Sequence, residues 1–92
     1  MMIDLSGIYI RELENRLRIF DRHYKKYETS SHIMYKGIVS GMKYMIEIGK
    51  YSRLVNVRIG KIDIKPISLD DIVMPDIVMK TLNAYINGEV WI

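Results

Sequence analysis

The chain has 92 residues, no cysteine, a formal net charge of +3 and hydrophobic residues at 49% of its positions. That length allows a single domain with a modest core, and the apolar content excludes a disordered chain. The missing cysteines exclude disulfides, thiolate zinc sites and a cysteine nucleophile.

No apolar run reaches the ~18 residues that a membrane span needs. The first residues, Met1-Met2-Ile3-Asp4-Leu5, lack the positive region and long apolar stretch of a signal peptide. A cytoplasmic protein with no membrane partner is expected. Isoleucine outnumbers leucine and glutamine is absent, a bias that fits an AT-rich genome, those of viruses and mobile elements among them.

The first element is announced by Ile10, Leu13, Leu17, Phe20, Tyr24 and Tyr27, whose alternating three- and four-residue steps make a heptad seam. The seam predicts a helix over about residues 8 to 28. Thr29-Ser30-Ser31 then makes a turn, with a serine to cap a second helix over about residues 32 to 49. Tyr35, Ile38, Met42 and Met45 continue the heptad spacing, and Gly49 is a stop. Together these predict an antiparallel helical hairpin over about 8–49, with one continuous helix through the serines as the alternative. Gly37 and Gly41, four apart, would give this second helix a smooth patch for the first helix or for a second copy. Because one helix cannot bury its own seam, the rest of the chain or a second copy must cover it, and a homodimer is expected.

From Arg53 the period becomes two. Leu54-Val55-Asn56-Val57-Arg58-Ile59 and Ile62-Asp63-Ile64-Lys65 alternate in opposite parity around Gly60-Lys61, which predicts a β-hairpin over about 53–66 with a type II′ turn. In that register Ile59 meets Ile62, Val57 meets Ile64 and Arg58 meets Asp63. Ser68-Leu69-Asp70-Asp71 resembles a helix start. Pro75 separates it from a shorter third helix over about 76–86, which Asn87-Gly88 ends. Glu89-Val90-Trp91-Ile92 is expected to add an edge strand. The fold class is therefore α+β: a helical hairpin, a β-hairpin with a third C-terminal strand, and a short third helix, in one domain over 1–92.

Catalytic chemistry finds little support. His23 and His32 would both sit at the helical turn, with Asp21 or Glu28 as a third ligand, but no metal-ligand spacing appears. Asp70, Asp71 and Asp76 read as helix-start acids rather than a cation loop. Neither a phosphate-binding glycine loop nor a nucleophile motif is present, so no enzyme, metal or cofactor is expected.

Charge is more telling. From Arg16 to Lys65 there are twelve Lys or Arg against four acids, a net of +8, whereas Pro66 to Ile92 carries one Lys against four acids, a net of −3. A basic body attracts phosphate polyanions, in a salt-dependent way. The expected partner is DNA or RNA, held through its phosphates by Arg22, Lys25, Lys26, Lys36, Arg58, Lys61 and Lys65. Tyr44 and Tyr51, off the seam, are the candidates for stacking on bases. The polar, mostly basic face Asn56, Arg58, Lys61, Asp63, Lys65 would suit a β-ribbon reader. The competing reading is a protein-interaction module, a small regulator or inhibitor of a partner enzyme, anchored by Tyr44, Tyr51 and Trp91.

Overall fold

The first helix of this chain ends at Phe20. The computed structural model describes residues 4–88 and opens with helix α1, Ser6–Phe20. The Asp4 carboxylate accepts the Ser6 amide at 2.9 Å, serving one of the amides a helix start leaves unpaired. At the other end, Asp21 is extended (φ −144°) and its carboxylate accepts the His23 amide at 3.0 Å, an Asx turn that breaks the helix. A carboxylate at the negative end of the helix dipole also opposes continuation. The helix is therefore shorter than the seam predicts, and Tyr24 and Tyr27 leave it. Strand β1 follows, Lys25–Glu28.

The predicted helical hairpin is overturned. Residues of the expected second helix form strands β2, His32–Val39, and β3, Met42–Gly49, paired antiparallel from His32↔Gly49 to Val39↔Met42. Ser40 (φ 54°) and Gly41 (φ 77°) are both left-handed, a two-residue type I′ turn that matches the twist of the strands it joins. The heptad match of Tyr35, Ile38, Met42 and Met45 is coincidental. The period that governs is two: Ile33 and Tyr35, then Tyr44, Ile46 and Ile48, are buried, with more exposed residues between them. Thr29-Ser30-Ser31 is a turn as expected, but it joins β1 to β2, with the Thr29 amide donating to the His32 carbonyl at 2.8 Å.

The β-hairpin has its expected register. Strands β4, Leu54–Ile59, and β5, Ile62–Asp63, pair Ile59 with Ile62 and Arg58 with Asp63, and the Ile64 amide donates to the Val57 carbonyl at 2.8 Å. Gly60 has φ 61°, as the first position of a type II′ turn requires. Beyond Pro66, which has no amide to give a ladder, the chain returns to the same edge of β4 as strand β6, Ile67–Ser68, paired with Leu54 and Val55. Ser68 thus closes a strand instead of starting a helix. The last element is helix α2, Met74–Ile86, with Pro75 in its first turn and Gly88 (φ 70°) after the Asn87 cap. The described residues hold two helices, not three. The expected strand at 89–92 lies outside the described residues.

The sheet order is β1-β2-β3-β4-β5, an antiparallel meander with β6 beside β5 on the outer edge of β4. Both helices cover one face. Leu13 and Leu17 of α1 and Met74, Val78 and Leu82 of α2 are fully buried against Tyr35, Ile46, Ile48 and Val55 from the sheet. Complete burial of a leucine side chain stabilises by about 2–3 kcal/mol relative to exposure. The heart of the seam is thus consumed inside the chain, and among the described residues no element lies over the other face of the sheet.

Candidate nucleic-acid interface

Strand alternation decides what that open face presents. Ile33, Tyr35, Tyr44, Ile46, Val55 and Val57 point at the helices, so their neighbours point away. The cross-strand register then sets the outward side chains in rows. Lys25 stands beside Lys36, Lys36 beside Met45, Met45 beside Arg58 and Arg58 beside Asp63. A second row runs Tyr27, Met34, Glu47, Asn56, and Ile38 stands beside Lys43 towards the β2–β3 turn. The Lys36 ammonium lies 5.9 Å from the centroid of the Tyr27 ring, a cation–π contact that crosses between the rows.

Ion pairing sorts the cations by face. Seven of the fourteen Lys and Arg are paired: Arg16 with Glu12 and Asp76, Arg18 and Lys26 with Glu14, Lys50 with Glu28, Arg53 with Asp4 and Asp70, Arg58 with Asp63, and Lys80 with Asp76. Asp70 and Asp76, from the acidic last third, neutralise arginines of the basic body. Among the described residues, Arg11, Arg22, Lys25, Lys36, Lys43, Lys61 and Lys65 carry charge with no ion-pair partner. All but Arg11 belong to the sheet or its connections.

Measured against the expected contact residues, the structure brings Lys25, Lys36 and Arg58 together in one row. Arg22 lies in the α1–β1 connection, Lys61 in the β4–β5 turn and Lys65 between β5 and β6, all exposed. Lys26 is drawn away: its partner in the sheet is Tyr35 on the helix side, and it bonds Glu14 at 3.1 Å and lies 5.9 Å from the Tyr35 ring centroid. Arg58 grips Asp63 at 2.8 and 3.2 Å, which halves its claim as a free cation. Lys43 is absent from the expected set, because a helix over 32–49 hides its place beside Ile38.

The stacking candidates also exchange places. Tyr44 is 3% exposed and meets Phe20 edge to face at 6.1 Å, so it offers no ring to solvent. Tyr51, in the β3–β4 connection, is 79% exposed. Tyr27, assigned to the seam by its spacing, stands on the open face with half its surface exposed.

At the β2–β3 turn end of this face lies a cleft of about 560 Å³. Strand β2 runs on past Lys36, the partner of the first β1 residue, while residues 21–24 lead back to α1, and Asp21 and His23 of that connection line the cleft. Lys25, Lys36, Lys43 and Arg58 stand around it, and Tyr27, Ile38 and Met45 supply apolar wall. Below them Gly37 has no side chain: a Cβ there would strike the Asp21 carboxylate and the Tyr44 hydroxyl. The Tyr44 hydroxyl donates to Asp21 Oδ2 at 2.7 Å, and burial together with that bond pushes its ionisation above the ordinary tyrosine range. The pair pins the end of α1 to β3.

His23 lines the cleft, whereas His32 starts β2 beyond the far end of β1. They do not meet at one turn as expected, because the helix ends at Phe20 and a strand separates them. Asp70 and Asp76 are ion-paired, and Asp71 accepts the Val73 amide at 3.1 Å. Among the described residues no three His, Asp or Glu gather to hold a metal ion, and no helix is long and apolar enough to cross a membrane. Compared with known families, curated proteins and solved structures, the chain matches none.

Proposed function

We propose that the protein is a non-enzymatic nucleic-acid binder that holds phosphates on the open face of its sheet. The observation that carries this reading is the sorting of charge. Acids pair the cations of the helical layer except Arg11, while Lys25, Lys36 and Lys43 have no ion-pair partner among the described residues and stand on the open face beside Met45 and Tyr27. Surface cations that no acid pairs are the electrostatic footprint of phosphate binding. The seam behind the expectation of a dimer is buried largely within the chain, and phosphate binding by this face needs no second copy.

Anisotropy of labelled DNA and RNA, titrated at about 50 and 200 mM salt, tests it. Binding that falls steeply between the two salts supports the proposal. No binding at the lower salt overturns it and leaves a protein partner, for which exposed Ile19 and Tyr51 are the anchors.

A further inference from the structure

Resting on that reading, we infer that the face takes a single strand, with one unpaired nucleotide seated in the cleft beside Tyr27. Width is the first argument. Strands β1 to β4 lie side by side, and at ~4.8 Å per step their outer backbones are about 14 Å apart before side chains are added. The major groove of duplex DNA is ~12 Å wide and admits one helix or a two-stranded ribbon. This face cannot enter it. The ribbons at the sheet's two margins do not stand clear as groove readers: β1–β2 continues into β3, and β4–β5 has a two-residue second strand with β6 on the same edge of β4. A duplex therefore meets the face by its phosphates alone, whereas a single strand can lay its bases on it.

The cleft supplies what a base needs. Its volume of about 560 Å³ falls within the range of small-molecule sites. Its wall combines the half-exposed Tyr27 ring with Ile38, 60% exposed, and Met45, while Lys25, Lys36 and Lys43 ring the mouth. Aromatic and apolar wall takes a base, and the cations take the phosphates on either side of it. From the mouth the row Lys36, Met45, Arg58 crosses the strands and gives the backbone a path over the sheet.

The test titrates the full chain against a labelled mixed-sequence single strand and its own duplex at low salt. The single strand is expected to bind about tenfold or more tightly than the duplex. Tyr27→Ala should cost single-strand affinity by about tenfold and leave duplex affinity unchanged, whereas Tyr27→Phe, which keeps the ring, should retain it. Circular dichroism establishes that each variant is folded. Equal affinity for both nucleic acids, or equal loss from Tyr27→Ala on both, overturns the single-strand inference while the phosphate-binding reading stands. Failure of both to bind overturns the reading itself.

Discussion

Asp21, Tyr44 and Gly37 show how three residues distant in sequence fix one corner of the molecule. The carboxylate ends α1, the hydroxyl reaches it from β3, and the absent side chain on β2 makes room for both. Tyr44→Phe leaves a nearly buried carboxylate short of a donor and is expected to cost about 1.5–3 kcal/mol, read by chemical denaturation. An unchanged midpoint would show the bond to be dispensable. Asp4 makes a pH prediction. The Ser6 hydroxyl and amide, and then Arg53, hold its carboxyl down at about 2. A depressed folded pKa means stability that is full above about 4, the unfolded value, and is lost as pH falls towards 2. Asp4→Asn keeps the acceptor and removes the charge, so its stability should fall less steeply with acid across that window. Parallel acid curves for the two proteins would contradict the assignment. None of the Asp21 corner was legible in the sequence, since pairing across 23 residues leaves no local signature.

At the scale of elements, legibility followed the specificity of the local signal. Gly60-Lys61 lies between runs of opposite parity with matched charges, and only one hairpin register satisfies both, the one the strands adopt. α2 was also legible, because Pro75 and Asn87-Gly88 mark its ends. Residues 29–49 were not, because apolar side chains there satisfy both a heptad and an alternation. The deciding cues were present: two glycines inside a helix cost ~1 kcal/mol each relative to alanine, and Ser40-Gly41 suits a type I′ turn. Serine tolerates φ 54° less well than asparagine, which the left-handed region favours. Ser40→Asn is therefore expected to stabilise by about 0.5 kcal/mol or more, seen as a raised denaturation midpoint. A lowered midpoint would contradict the type I′ turn.

Across the whole molecule, two layers divide the labour. Helices and inner sheet face form the core, and Asp70 and Asp76 of the last third pair with arginines outside the open face. The charge asymmetry was visible as a run along the chain, but the placing of Lys25, Lys36 and Lys43 on one face was not, since that depends on strand parity. Lys26 and Lys36 look alike in sequence, yet register sends one to Glu14 and the other to the open face.

The most direct test compares Lys36→Glu with Arg11→Glu. Both reverse one cation that has no ion pair among the described residues, one on the open face and one on α1. With net charge changed equally, single-strand affinity is measured by anisotropy at about 50 and 200 mM salt. Lys36→Glu is expected to weaken binding by about tenfold and flatten its salt dependence, with Arg11→Glu close to the parent. Equal losses from the two would mean that net charge alone attracts nucleic acid, and would contradict the sheet face as the binding surface.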